Sequence, residues 1–473
     1  MPEPRTWQLT ACSAVLGLAL AAGAVTAAGP WDNGQRKAER ARAAAATPTG
    51  GAHHAAPRPP AGPQRPAPAP SAAGVLRSLD APDTSLPGDL ATTLVPLLAD
   101  PGLGTLRTAS VVDVATGKQL YGEGATTPMT PASTIKIATS VAALSALGPD
   151  HRIPTTVVAS PDGRTVTLVG GGDPTLDRTR LKALADGTAR ALEDRGVTDV
   201  RVAYDTSLYQ GPARHPIGPN DNIAPVGALM LDEGRLDDSD SGPAPRTADP
   251  AGDTATAFAE LLGEAGTNVQ GSPTPARAPK NGTDPKAAPL ARTESAPLSA
   301  LVERTLTHSD NDLAEALARQ TALAHEQPAS FAGAGEAVRA ELTALGLPTA
   351  GTHFADGSGL SRDDRLSAAL LTGLLTRAAD PTRPALRPVL TGLPVGGFSG
   401  TLESRFDTAP ATNGAGLVRA KTGTLTGVNT LAGTVVTADG RLLAFAFLAG
   451  RTTSPYTAQP ALDRLSAALA PQG

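Results

Sequence analysis

Apolar and polar residues alternate with two different periods along this chain. Residues 110–114 and 118–121 are short strand-like runs on either side of the turn Ala115-Thr116-Gly117, which predicts a β-hairpin. A stronger hairpin is predicted near the C-terminus, where residues 431–436 and 442–448 flank Ala438-Asp439-Gly440. Between the two hairpins the period lengthens. Ile137, Val141 and Leu144 recur at four and three residues, and Leu313 and Leu317 at four, as on one face of a helix. Helices and antiparallel strands in this order predict an α+β layered domain.

The middle of the chain reads differently. Residues 154–289 hold a further hairpin (155–158, Pro161-Asp162-Gly163, 165–169), a helix at 181–193 and a strand at 200–204. Loops rich in Pro, Gly and Asp follow near 211–252 and 272–289, and the whole reads as a separate insert. The acidic run Asp237-Asp238-Ser239-Asp240 lacks the alternating ligand spacing and the glycine of a calcium loop, so it reads as a solvated turn.

At the other end, residues 9–28 form an uncharged run long enough to span a bilayer core. They read as a signal peptide or an uncleaved anchor, within a segment 1–29, and the small residues Ala22, Ala24, Ala27 and Ala28 permit cleavage. Residues 30–85 are Ala- and Pro-rich and too poor in large apolar side chains to offset their ordering entropy, which predicts an extended linker. Cys12 is the single cysteine, so no disulfide can form within the chain.

Composition narrows the function. A net charge of −5 on 473 residues argues against nucleic acid as a partner. Seven lysines stand against 33 arginines, a bias that coding habit explains on average but not at each position. The seven histidines show no ligand spacing of the His-x-x-x-His kind, and no metal or cofactor is expected.

Two lysines fall in chemically suggestive settings. Pro131-Ala132-Ser133-Thr134-Ile135-Lys136 opens the first predicted helix, and a spacing of three puts Ser133 Oγ and the Lys136 amine on one face. A serine hydroxyl needs a base to take its proton; a lysine serves if burial or a second cation favours its neutral form, and an arginine cannot. Ser309-Asp310-Asn311 precedes another helix, and its hydroxyl and amide suit proton relay and a substrate carbonyl. Lys421-Thr422-Gly423-Thr424 leads into the C-terminal hairpin. On a strand, Lys421 and Thr422 would offer donors to an anionic group while Gly423 leaves room for substrate backbone. Each motif occurs once.

Together these residues resemble the serine penicillin-recognising enzymes, whose signature is Ser-x-x-Lys, Ser-x-Asn and Lys-Thr-Gly. Gly170-Gly171-Gly172-Asp173-Pro174-Thr175-Leu176, Asp356-Gly357-Ser358-Gly359-Leu360-Ser361 and Gly400-Thr401-Leu402 with Arg405-Phe406 narrow the resemblance to the D-Ala-D-Ala carboxypeptidase/endopeptidase family with a long insert, over about residues 86–468. The resemblance implies a penicillin-binding/serine β-lactamase-like α+β fold: a five-stranded antiparallel sheet with helices on both sides, interrupted by a smaller α/β insert. It divides the chain into a transpeptidase-like domain at 86–153 and 290–473, with the insert at 154–289.

It also implies roles. Ser133 is the acylated nucleophile, Lys136 its general base, and Ser309 relays the proton to the leaving amine. Asn311 binds substrate, and Lys421 and Thr422 meet the terminal carboxylate. The N–H groups of Ser133 and Thr424 form the oxyanion hole. Asp221 matches a residue that in some relatives holds a diaminopimelate side chain, although residues 218–226 contain no Trp or Tyr. The implied partners are peptidoglycan stem peptides and β-lactam antibiotics, met outside the cytoplasm, with membrane attachment through residues 9–28 if that segment is retained. The alternatives are an inert penicillin-binding or wall-binding protein of the same fold, and a β-lactamase, for which a Glu-x-x-Leu-Asn-like segment is missing.

Overall fold

The computed structural model describes residues 90–279 and 289–470. The segments 1–29 and 30–85 lie outside them, and among the described residues no helix is long and apolar enough to cross a membrane. In chain order the described residues open with helix α1 (Leu90–Leu98), the hairpin β1 (Leu106–Asp113) and β2 (Gln119–Glu123), and helix α2 (Ile135–Leu147). A second group follows: β3 (Pro154–Ala159), β4 (Thr165–Val169), α3 (Arg178–Glu193), β5 (Asp199–Asp205), α4 (Pro250–Glu264), β6 (Asn268–Val269), β7 (Thr274–Pro275) and β8 (Ala291–Glu294). Helices α5 (Leu298–His308), α6 (Asn311–Ala324), α7 (Phe331–Ala344), α8 (Ala368–Ala379) and α9 (Pro388–Thr391) come next. Strands β9 (Arg419–Leu425), β10 (Val428–Val436) and β11 (Leu442–Gly450) and helix α10 (Pro455–Ala467) complete it.

Five strands make one antiparallel sheet in the order β2-β1-β11-β10-β9, so the N-terminal hairpin closes onto the C-terminal one. Along β10 and β11 successive side chains enter opposite cores. Ala432, Ala444, Ala446 and Leu448 face the side carrying α2, α5, α6, α7 and α8, whereas Leu431, Val435, Leu443, Phe445 and Phe447 face α1 and α10. Both faces are dry, which is why this hairpin reads as a nearly continuous apolar run. The alanines on the first face let helices approach closely; on the second, Phe445 and Phe447 stack with ring centroids 5.4 Å apart.

Helix α2 departs from its expected single apolar stripe. Every residue from Ile135 to Leu144 is buried, because other helices and the sheet surround it on all sides. Its Thr139 hydroxyl is therefore bonded rather than solvated, donating to the Gly357 carbonyl at 2.8 Å, whereas the Ser140 hydroxyl is buried without a hydrogen-bond partner among the described residues.

The second sheet runs β6-β5-β4-β3-β8, with β7 also pairing β5. Strands β3, β4 and β8 pair antiparallel, while β4 and β5 run parallel, joined by α3 as a crossover. Leu181, Leu184 and Leu192 of α3 and Phe258, Leu261 and Leu262 of α4 bury against it. Two glycines tie this sheet to its neighbours. A Cβ on Gly171 would lie 1.8 Å from the Pro154 carbonyl oxygen, and one on Gly170 would lie 2.3 Å from that of Ala228. The glycine run 170–172 is thus a close backbone crossing.

Candidate active site

Pro131 precedes a 3-10 turn, Ala132–Thr134, that runs directly into α2. Its carbonyl accepts from the Thr134 hydroxyl at 2.7 Å and from the Thr430 hydroxyl of β10 at 2.8 Å, which pins the turn to the sheet. Ala132 adopts φ 48°, a left-handed conformation that is uncommon for a residue with a Cβ and clusters at functional sites. The following Ser133 is half-buried.

The Lys136 amine lies one turn further on, wholly buried. It meets three oxygens: Ser133 Oγ at 3.0 Å, Asn311 Oδ1 at 2.7 Å and the Ser358 carbonyl at 2.6 Å. Burial pushes this amine down to about 8, although the carboxylates of Asp356, Asp310, Glu315 and Asp364 pull it the other way. That displacement favours the neutral amine by about 3 kcal/mol.

Asn311 is held in one orientation by its own surroundings. It begins α6, whose N-cap Asp310 accepts from the Leu313 N–H at 3.0 Å. Its Nδ2 donates at 2.9 Å to the carbonyl of Asn222, a residue of the loop that follows β5. The residue before this cap, Ser309, ends α5 in the left-handed region at φ 59° and is partly exposed. Its neighbour His308 is exposed.

Strand β9 forms the sheet edge beside the 131–134 turn and carries Lys421-Thr422-Gly423-Thr424. Lys421 is fully buried and donates at 2.8 Å to the Thr422 carbonyl. Burial first, and then the nearby Lys136, push this amine well below the usual lysine range. The Thr422 hydroxyl donates at 2.8 Å to that of Thr401, from the Gly400-Thr401-Leu402 segment. At Gly423 a Cβ would lie 2.2 Å from Thr430 Oγ1 and 2.8 Å from the Pro131 carbonyl oxygen. Its bareness lets the 131–134 turn sit against the strand. Thr424 is exposed, with Gln459 Nε2 of α10 at 3.5 Å from its hydroxyl. Asp221 is also exposed; its carbonyl accepts from the Ala244 N–H, and its neighbour Asn222 reaches Asn311.

Sequence reasoning missed what stands behind these residues. The Asp356-Gly357-Ser358-Gly359 segment forms a buried cradle under Lys136. Asp356 Oδ1 accepts from the Ser358 and Gly359 N–H groups, Oδ2 from the Ser361 N–H, and His215 Nε2 lies 2.9 Å from Oδ2. These bonds outweigh burial and hold Asp356 below its usual value. Glu315 Oε1 accepts from the Gly357 and Ser358 N–H groups at 3.0 and 2.9 Å. One signal was present in the sequence: Glu315 lies four residues after Asn311, on the same helix face.

A second charged cluster locks the 222–246 loop against the Ser309-Asp310-Asn311 corner. Arg246 pairs with Asp312 at 2.9 Å, Arg235 with Glu233 at 3.0 Å, and Arg304 bridges Glu233 and Asp310. Burial, and then the adjoining Asp310, push Glu233 up to about 9.

Two buried trios bring oxygen or nitrogen atoms within 4.8 Å of one another, as a metal would require: His215, Glu315 and Asp356, and Glu233, Asp310 and Asp312. In the first, Asp356 already accepts from three backbone N–H groups. The second is faced by three arginines. Neither donor set suits a cation.

This architecture, with a helix-borne serine and lysine beside an antiparallel sheet edge, is the penicillin-binding protein fold. Penicillin-binding protein 4 from Haemophilus influenzae shares it, with a TM-score of 0.65 at 22% identity, covering 80% of this chain and 97% of that one. Its structure in complex with a β-lactam gives a TM-score of 0.63. Within that fold, the chain belongs to the D-Ala-D-Ala carboxypeptidase 3 (S13) family, which it matches over residues 90–245 and 239–469. Carboxypeptidase DacB from Mycolicibacterium smegmatis is 40% identical over 427 residues, spanning 86% of this chain and 89% of that protein. A D-alanyl-D-alanine carboxypeptidase from an Actinomadura species is 31% identical over 438 residues, spanning 73% and 78%.

The crowding at Gly423 has a measurable consequence. Gly423→Ala should destabilise by about 1–3 kcal/mol, as overpacking does, and slow acylation by displacing the 131–134 turn. Thermal unfolding and penicillin-labelling rates check this; wild-type values for both would contradict the packing role.

Proposed function

We propose that this chain is a serine DD-peptidase that hydrolyses the D-Ala-D-Ala bond of peptidoglycan stem peptides, or the equivalent D-Ala-diaminopimelate cross-link, through an acyl-enzyme on Ser133. One observation carries the reading. The Lys136 amine is buried, pushed down to about 8, and bonded to two fixed acceptors besides Ser133 Oγ. A neutral amine has two hydrogens and one lone pair. With Asn311 Oδ1 and the Ser358 carbonyl taking the hydrogens, the lone pair faces the Ser133 hydroxyl.

The steps follow from that arrangement. Ser133 Oγ attacks the carbonyl carbon of the penultimate D-alanine while its proton moves to Lys136 Nζ. The developing oxyanion is held by the N–H groups of Ser133 and Thr424. Ser309 relays a proton to the departing amine as the C–N bond breaks, and water then cleaves the ester on Ser133. Asn311 Nδ2 carries two hydrogens, one bonded to Asn222, so the other is available to a substrate carbonyl. Lys421, desolvated by burial, gains a counter-ion when a terminal carboxylate arrives, and Thr422 adds a donor.

We assign residues 86–153 and 290–473 to the catalytic domain and 154–289 to an insert, with β8 extending the second sheet to Glu294. A role for Asp221 in meeting the free end of a stem-peptide side chain is supported by its exposure and by its neighbour Asn222, whose carbonyl accepts from Asn311 Nδ2. Because the substrate lies outside the cytoplasm, residues 9–28 are assigned to export or membrane attachment. β-Lactams, which mimic the scissile bond, are expected to acylate Ser133.

Fluorescent penicillin should label the protein covalently and Ser133→Ala should abolish labelling. Lys136→Arg keeps the charge but not the lone pair, and should slow acylation by about 10²–10⁴-fold. The neutral form grows above the amine's pKa, so the wild-type acylation rate should rise with pH to a midpoint near about 8. Undiminished labelling of Ser133→Ala would sink the assignment. Turnover is tested separately by D-alanine release from a synthetic pentapeptide. Release above the Ser133→Ala background is expected; labelling without release would point instead to an inert penicillin-binding protein.

A further inference from the structure

A wholly buried carboxylate, Glu315, stands beyond the residues that would touch substrate. Its Oε1 takes two successive backbone N–H groups, those of Gly357 and Ser358, while Oε2 is buried without a hydrogen-bond partner among the described residues. The peptide it grips ends in the Ser358 carbonyl, the 2.6 Å acceptor of Lys136. Three further ties fix the same segment: Asp356 Oδ1 on the Ser358 N–H, Asp356 Oδ1 on the Gly359 N–H, and the Thr139 hydroxyl on the Gly357 carbonyl. Gly359 allows the segment to close in, since a Cβ there would lie 2.1 Å from the Ala132 carbonyl oxygen. Cradle and nucleophile turn are thus in direct contact.

We propose that Glu315 is a positioning residue for the acylation step: it aims the Ser358 carbonyl at Lys136, so that the lysine lone pair faces Ser133, and its charge sets the pH at which that lone pair becomes available. The inference rests on the serine peptidase reading above. Glu315 reaches Lys136 through one residue, Ser358, and touches no substrate.

The electrostatic surroundings give the effect a sign. Facing Glu315 are Asp356, His215, Arg319 and Tyr209; facing Lys136 are Asp356, Asp310, Glu315, Asp364 and Lys421. His215 accepts the Ile217 N–H on Nδ1, so its Nε2 carries the proton toward Asp356. Burial, and then Asp356, push Glu315 itself up to about 7, so its charge is in place above that pH, where it raises the Lys136 pKa. Removing that charge lowers it, and neutral amine then exists at lower pH.

The test is the pH profile of penicillin acylation and of D-alanine release in full-length protein. Glu315→Gln keeps the Oε1 acceptor and loses the charge. Its acid limb should move down by half a pH unit or more, while the plateau rate stays within threefold of wild type. Glu315→Ala loses both and should lower kcat at least tenfold with KM nearly unchanged. If Glu315→Ala does not fold, Thr139→Val takes its place, loosening the same peptide from the Gly357 side. It should lower kcat severalfold with the acid limb unmoved. An acid limb unshifted in Glu315→Gln, or an unchanged kcat in Glu315→Ala or in its replacement, would overturn the proposal. A wild type that labels on Ser133 while these variants behave like it defeats this inference alone; a wild type that does not label defeats the peptidase reading itself.

Discussion

An ammonium group taken wholly out of water loses solvation worth several kcal/mol, and it either finds a close carboxylate or gives up its proton. Lys136 is held at that balance. Four carboxylates act on it from a distance, and its amine is bonded instead to a hydroxyl, an amide oxygen and a backbone carbonyl. Much of the surrounding structure serves to keep those three oxygens in place. The five-stranded sheet supplies Thr430 to anchor the serine turn, α6 supplies Asn311, and the 356–359 cradle supplies the carbonyl. The depth of α2 follows from the same requirement, since a lysine on a surface helix would stay hydrated and protonated.

The second buried amine, Lys421, makes the arrangement asymmetric. The nearby Lys136 adds to burial in pushing the Lys421 amine down. In the proposed reaction an arriving carboxylate would give Lys421 a counter-ion, and the two amines, on different elements, would couple substrate binding to base activation. Behind the opposite wall, the Glu233, Asp310 and Asp312 cluster and its three arginines fix the corner that carries Ser309 and Asn311. Removing one partner from such a cluster would leave a buried charge unpaired, so the loop at 222–246 is bound to the site by more than chain connectivity.

The fold was largely legible in the sequence because its organising signals are local or repeat in pattern. The C-terminal hairpin, helix α2 and the elements at 155–204 follow from period and turn chemistry, and the short motifs named Ser133, Lys136 and Asn311, which hydrogen bonds join, and Lys421 near them. What stayed hidden depends on tertiary contact. Nothing local marks Glu315 as the partner of two N–H groups 42 and 43 residues away, or His215 as the neighbour of Asp356 across 141 residues. Gly423 adds a tertiary contact that no local signal marks: its missing Cβ leaves room for the Thr430 hydroxyl and the Pro131 carbonyl. Likewise Ala132, an unremarkable residue by type, adopts the left-handed backbone that turns the chain into α2.

The scarcity of lysine offers a direct test of the central claim that the Lys136 amine is poised near neutrality. With seven lysines in the chain, and Lys118 and Lys182 exposed, selective isotope labelling of lysine side chains gives a spectrum simple enough to assign. The signal lost in Lys136→Arg should titrate with a midpoint near about 8 in the free protein. A midpoint for that signal at the ordinary lysine value of 10.5 would contradict the account.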